Sequence, residues 1–272
     1  MNDRTVIGAG TWTARARASF KRQVVWPAAG RLLRTPVWDA ALVGYAVVAS
    51  AGSRPGSRTD AAPLSLRWID PDRSIYDALP PTPERPRIGC VEGGDWDLID
   101  DRFADRAVPQ AIDLRFREGY EWAETPLPAH VRDQVERFGD AWGHVEDAVE
   151  RRCRAIEELY ESMRTDGYLT QATLAARGTS GPGPPPVPTL GEITVDVGRD
   201  GRLCWRRNGQ HRLAIARVLG IERVPVLIAR RHAAWQAIRD RIREDGTMVI
   251  EPTLRGHPDL ADLCGSGRID VA

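Results

Sequence analysis

Lysine is almost absent, with Lys21 the single one among 38 basic residues, so nearly all positive charge is guanidinium. That excludes a phosphate loop or a Schiff base built on lysine, and any phosphate contact must come from arginine or from backbone N–H groups. Paired cysteines are missing too. Cys90, Cys153, Cys204 and Cys264 lie far apart with no CxxC among them, which argues against a zinc ribbon or a thioredoxin-like motif. Neither sign of charge is in excess, 38 acidic side chains balancing the 38 basic ones, and this argues against a surface that grips nucleic acid all over. No long apolar run occurs. The longest, "AALVGYAVVASAG" at residues 40–52, is too short to span a bilayer and is wrongly placed for a secretory signal. It reads as a buried helix or, second, as a membrane-surface contact. Without a signal peptide the expected location is cytoplasmic and the thiols are expected to be reduced.

What is present is an ordinary globular composition, 42% hydrophobic and 28% charged over 272 residues, enough for one domain with extensions or two smaller ones. Charge is uneven along the chain. Residues 1–60 hold nine basic side chains against Asp3, Asp39 and Asp60, and "TARARASFKRQVVWPAAGRLLR" interleaves Phe20, Val24, Val25, Trp26, Leu32 and Leu33 with arginine. Such a stretch forms a solvated amphipathic helix, or lies on nucleic acid or an anionic membrane.

Two proline- and glycine-rich breaks, "PPTPERP" at 80–86 and "RGTSGPGPPPVP" at 177–188, cannot continue a helix. They suggest four parts: a basic segment 1–80, a mostly helical region 81–180, a compact module 185–250 and a C-terminal tail 251–272. Helix formers with periodic apolar positions cover 106–118 and 129–167. After the second break the period changes to two. Ile193, Val195 and Val197 alternate, Arg199-Asp200-Gly201 makes a turn, and Leu203 and Trp205 resume the alternation, which is a hairpin signature. Leu213, Ile215, Ala216 and Leu219 then recur at helical spacing up to Gly220, a strand begins at Val224, and "AAWQAIRDRIRED" makes a further helix. The expected class is α+β.

Asn208-Gly209-Gln210-His211-Arg212 stands where the helix begins. Unpaired N–H groups and the helix dipole favour an anion there, Gly209 permits close approach, Arg212 can fork onto phosphate oxygens, and His211 can donate or shuttle a proton. The plainer alternative has Asn208 capping the helix and the other residues solvating its first turn.

This order of hairpin, "GQHRLAIARVLG" and "VPV" resembles the ParB/sulfiredoxin superfamily over about residues 190–240. The resemblance implies a small mixed sheet with helices and a helix start that binds nucleotide or phosphate. Sulfiredoxins carry a reactive cysteine where Gln210 stands, so sulfinic acid repair is not implied. Archaeal free serine kinases begin the motif with aspartate, where this chain has Asn208, and the string is also similar to the DGQHR domain of DNA phosphorothioation regulators. Partitioning ParB proteins add a helix-turn-helix domain after the module, for which the roughly thirty residues beyond 240 are too few.

"GCVEGGDWDLIDDRF" at 89–103 supplies Gly93 and Gly94 for a ligand-approachable turn, Glu92, Asp95 and Asp97 as carboxylates, and Trp96 to cover a base or sugar. Magnesium would take Asp95 and Asp97, and Glu92 or Asp95 would take a proton from a hydroxyl. The bland reading is a loop with Asx-type bonds and a tryptophan plugged into the core. A GGDWD element upstream of the module is similar to one in haloarchaeal proteins. His232 and Trp235, three apart, either border the pocket or pack on the sheet, while His130, His144 and His257 show no metal-ligand spacing.

The functional expectation is a nucleotide-binding protein. ATP, ADP or CTP would be held with magnesium by Asn208, Gly209, Gln210, His211, Arg212, Gly93, Gly94 and Trp96, and Glu92, Asp95 and His211 would be catalytic in phosphoryl transfer to a small hydroxyl acceptor. The alternative is a non-enzymatic, nucleotide-responsive or DNA-associated regulator.

Overall fold

The structure, a computed structural model, describes residues 58–62, 64–73, 75–77, 88–98, 100–139, 147–178, 188–246 and 251–264. The basic N-terminal stretch, the apolar run at 40–52, the first proline break, most of the second and His144 lie outside these residues.

Among the described residues six strands, β1 (Leu66–Ile69), β2 (Ile75–Asp77), β3 (Cys90–Glu92), β4 (Ile193–Val197), β5 (Leu203–Arg207) and β6 (Val224–His232), form a mixed sheet in the order β1-β6-β4-β5-β2, with β3 also paired to β6. The hairpin expected from alternation is β4 (Ile193–Val197) and β5 (Leu203–Arg207), antiparallel. Its turn closes with Gly201 N–H donating to Gly198 O at 3.0 Å, and Gly201 takes the left-handed conformation that such a turn demands. β6 (Val224–His232) runs parallel to β4 and is buried over nearly its whole length, which is what the unbroken apolar run Val224–Ala229 prescribes. It extends past the expected strand to take in Arg230, Arg231 and His232.

The outer strands come from further off. β1 (Leu66–Ile69) pairs antiparallel with the first half of β6, and β3 (Cys90–Glu92) pairs parallel with its last three residues. β2 (Ile75–Asp77) runs parallel to β5. The sheet therefore draws half its strands from ahead of residue 93. A hairpin and one long strand would leave unpaired N–H and C=O rows at their edges, and these short segments cover them.

Helices α1 (Ala107–Asp113), α2 (Leu127–Phe138), α3 (Ala148–Asp166), α5 (Gln210–Val218) and α6 (Ala233–Asp245) fall where the periodicity indicates helix, whereas α4 (Gln171–Ala176) lies past the expected stop at Gly167. α1 ends in a π turn over Leu114–Glu118, closed by Gly119 at positive φ, and Gly139 likewise ends α2, where the sequence suggested continuous helix. One face of the sheet, through Ile193, Val195, Val197, Val226 and Ile228, shares a core with Phe103, Ile112, Leu127, Ile156, Leu213 and Ile215.

The expected C-terminal tail is built into the fold as far as residue 264. Asp259 is fully buried and accepts from Arg231 Nε and Trp235 Nε1, both at 2.8 Å, while its carbonyl accepts from Arg239. Arg239, also fully buried, continues to Asp60 and Asp262 at 2.8–2.9 Å. Burying cations this deeply requires carboxylates beside them, and the segment after residue 250 supplies two of the three.

Candidate functional site

The start of α5 is built by two consecutive left-handed residues, Asn208 (φ 55°) and Gly209 (φ 65°). Gly209 is the N-cap, and a Cβ there would meet Ile193 Cγ1 at 2.5 Å and Ile193 Cα at 3.0 Å. Close backbone packing against β4, as well as dihedral freedom, therefore demands glycine. Asn208 does not cap the helix: its side-chain amide donates to Leu190 O at 3.1 Å and its carbonyl accepts from Trp205 Nε1 at 3.0 Å. Gly209 has no side chain with which to cap the N-terminus, and Leu213 N–H donates to Gly209 O at 2.8 Å. The N–H groups of Gln210, His211 and Arg212 lie within the turn that has no intrahelical acceptor.

Arg212 is held in place rather than reaching outward. Its Nη1 donates to Glu192 Oε2 and to Tyr168 Oη, both at 2.9 Å, and Nη2 donates to Gly191 O. Glu192 is buried and accepts also from Tyr168 Oη (2.9 Å) and from Gln171 N–H (2.6 Å). One carboxylate thus ties the start of α4, the approach to β4 and the start of α5 together. Burial, opposed by the adjacent guanidinium, pushes the Tyr168 hydroxyl far up, so it stays protonated.

Positive charge converges on this helix start. His211 is pushed down to about 3, first by burial and then by Arg152, Arg212 and His130 around it. It is a neutral imidazole at physiological pH and cannot serve as a general acid there without a compensating anion.

His257 behaves similarly. Its Nδ1 accepts from Asp259 N–H, so Nε2 carries the proton given to Gly201 O at 2.8 Å, and burial holds its pKa at about 4. Both histidines titrate lower when folded than their ordinary 6.5, so the unfolded chain takes up more protons and stability falls as pH drops below about 6.5. At pH 5 the expected loss is about 2 kcal/mol for each. Tm should fall between pH 7 and pH 5, less so in His257→Gln, and a flat profile across that window would show that the imidazoles are not held neutral.

The GGDWD loop lies at the other end of the hairpin. Asp97 is fully buried and accepts from Arg199 N–H (2.6 Å) and Arg199 Nε (3.0 Å) just beyond the end of β4, while Gly209 packs on Ile193 at its beginning. The intervening strand has five residues, or ~13 Å at the usual rise. Arg199 Nη2 also reaches Gly94 O and exposed Asp95, both at 2.8 Å, and His232 Nε2 meets Gly94 O at 2.9 Å. Buried Asp97 is therefore a clamp on the hairpin turn, and Arg199 lowers its pKa against the effect of burial. Trp96 lies with Arg230 3.7 Å over its ring and donates to Glu92 O. Gly93 and Gly94 are exposed. Among the described residues no group of three His, Cys, Asp or Glu side chains is arranged to hold a metal ion.

Sequence reasoning missed a row of charges on the face of the sheet opposite the core. Glu92 pairs with Arg230 at 3.0 Å, and Arg230 and Arg206 both reach Oδ2 of fully buried Asp196 at 2.8 Å; Asp196 Oδ1 has no hydrogen-bond partner among the described residues. Strand alternation places Asp196 opposite Val195 and Val197, where a sequence reader expects solvent. The flanking thiols of Cys90 and Cys204 are pushed up to about 12, chiefly by burial and further by Asp196, so neither is a nucleophile at neutral pH. His232 ends β6 and caps α6 with Nδ1, whereas Trp235 is buried against Gly201 and His257, so the two do not share a helical face.

Compared with protein-family models, curated proteins and solved structures, the chain matches none. Among the described residues no helix is long and apolar enough to cross a membrane. Function is accordingly argued from the sites themselves.

Proposed function

We propose that the chain is a nucleotide-binding regulatory protein that holds phosphate groups at the start of α5 without transferring them. One observation carries this reading: a helix start whose N-cap, Gly209, has no side chain to offer the first-turn N–H groups, with Arg152 and the Glu192-paired Arg212 beside it. Backbone N–H groups of Gln210, His211 and Arg212 would donate to phosphate oxygens, helped by the helix dipole. Arg212, fixed by Glu192 and Tyr168, would act as a positioned charge. The likeness of Gly209–Arg212 to the ParB/sulfiredoxin motif supports the same assignment.

Phosphoryl transfer fits less well. Asp95 and Asp97 stand a strand's length away and are engaged by Arg199, so they do not suit a magnesium ion shared with phosphates at α5, whose ligands must sit about 2.1 Å from the metal. The carboxylate that does adjoin the helix start, Glu192, already accepts from Arg212, Tyr168 and Gln171, which commits it to holding these elements together.

Calorimetry against ATP, ADP and CTP tests the assignment. Arg152→Met should weaken nucleotide binding about tenfold or more, and the His211 pKa, read by NMR, should rise on binding because an anion offsets the surrounding cations. Asp97→Asn should leave affinity unchanged. Undetectable binding, or binding that leaves His211 unmoved, would refute the site, and turnover abolished by Asp97→Asn would restore the kinase reading.

A further inference from the structure

A cleft of about 960 Å³ lies along β1, walled by that strand, the turn at 70–73, Arg223 ahead of β6 and residues 255–262. It is away from the helix start, since β1 is the outer strand beyond β6 whereas α5 begins against β4, and His257 in its floor meets the hairpin turn at Gly201 O.

Four guanidiniums line this cleft, on Arg67, Arg73, Arg223 and Arg255. Arg67 is paired with Asp262 at 2.9 Å. The other three are exposed and carry no ion pair among the described residues. The acids in the wall are already engaged. Asp70 Oδ1 accepts from Asp72 N–H at 2.8 Å, Asp72 faces Arg217 at 3.6 Å, and Asp262 is shared between Arg67 and Arg239. Three guanidiniums without an ion pair among the described residues thus border one concave surface, with the Asp70 carboxylate beside them held only by a backbone N–H, and Arg73 lies near enough to His257 in the floor to depress its protonation.

The remaining wall feature is Trp68, half-buried in β1 at the end of the sheet order. Guanidiniums and an indole lining one groove match a ligand that repeats phosphates and carries flat rings. A duplex keeps its bases stacked inside and receives protein elements in its grooves rather than entering a cleft. An extended single strand can enter, set phosphates on Arg73, Arg223 and Arg255, and stack a base on Trp68. We infer that the cleft along β1 binds single-stranded nucleic acid, a second ligand site independent of the helix start of α5.

The test is fluorescence anisotropy of a labelled oligothymidylate with the full chain, in a salt series. With three phosphate contacts, affinity should fall roughly twenty-fold between about 50 and 200 mM salt, and each of Arg73→Ala, Arg223→Ala and Arg255→Ala should reduce the log–log slope by about 0.7. Trp68→Leu should weaken binding about tenfold, with thermal melts confirming that each variant folds. Each of three results with nucleic acid would overturn the inference: no binding at the lowest salt, an unchanged slope in R73A/R223A/R255A, or equal competition by a duplex of the same length. The second would move the contact to the basic N-terminal segment. Inorganic phosphate or ATP binding with the same three-arginine dependence would also overturn it, assigning the cleft to a small anion.

Discussion

Asp259→Ala should lower stability by about 3–5 kcal/mol, the cost of breaking a buried ion pair from one side, and shift Tm by roughly 10 °C or more. Asp259 is fully buried between Arg231, which is 4% exposed, and Arg239, which is not exposed at all, and it also accepts the Trp235 indole N–H. Alanine would strand a buried guanidinium and an indole donor, neither of which can reach water without opening the contact between α6 and residues 258–260. Against a typical total of about 5–15 kcal/mol, much of the fold's margin would go. Asp259→Asn, which keeps an acceptor and loses the charge, should fall between. The comparison is Asp133→Ala, which breaks an exposed pair with Arg137 and should cost less than about 0.5 kcal/mol. Chemical denaturation of the three variants decides the matter. Equal losses for Asp259→Ala and Asp133→Ala would mean that residues 258–260 do not anchor the fold.

Gly209→Ala should be the most damaging change at the helix start. The left-handed backbone costs a non-glycine residue about 1–2 kcal/mol, and overpacking against Ile193, whose Cα would lie 3.0 Å from the new methyl, adds about 1–3 kcal/mol. Gly220→Ala provides the control. Its φ is also +65°, yet among the described residues nothing lies within 4 Å of the added Cβ, so it should show the conformational part alone. The difference between the two ΔΔG values isolates the packing of Gly209 on β4. Nucleotide affinity should be lost only in Gly209→Ala, because only there does relief of the clash displace the first-turn N–H groups. If both variants lose stability equally, the close approach of Gly209 to Ile193 is not a constraint.

The elements legible in the sequence are those whose signals are local. Alternation in Ile193–Val197, the glycine turn at 201 and the periodicity of Leu213, Ile215 and Ala216 each occupy a dozen residues or fewer, and each forms as expected. β1, β2 and β3 carry no such signal. They are three or four residues long, include Arg67, Asp77 and Glu92, and owe their strand character to partners far along the chain. The carboxylates of the GGDWD loop were visible as residues, but Arg199, which claims Asp97 from 102 positions away, was not. In the same way Arg212 could be read as a phosphate ligand while the claim of Glu192 on it, twenty residues earlier, stayed hidden. Residue type announces what a side chain can do, and partners brought in by tertiary pairing decide what it is left free to do.

The placement of β6 between strands from both ends of the chain also sets an order of events during synthesis. Leu66 of β1 faces Leu227 of β6, 161 positions later, and a ribosome needs roughly ten to thirty seconds to cover that distance. Throughout that interval the early strands exist without the strand that pairs with them. The nascent chain must keep Leu66, Trp68 and Ile69 from associating elsewhere until β6 emerges, and the sheet closes late, through contacts of long sequence separation that fold slowly. Charged residues of the kind that blunt such association, Arg67, Asp70, Asp72 and Arg73, lie in and just after this strand, which is made long before it is used.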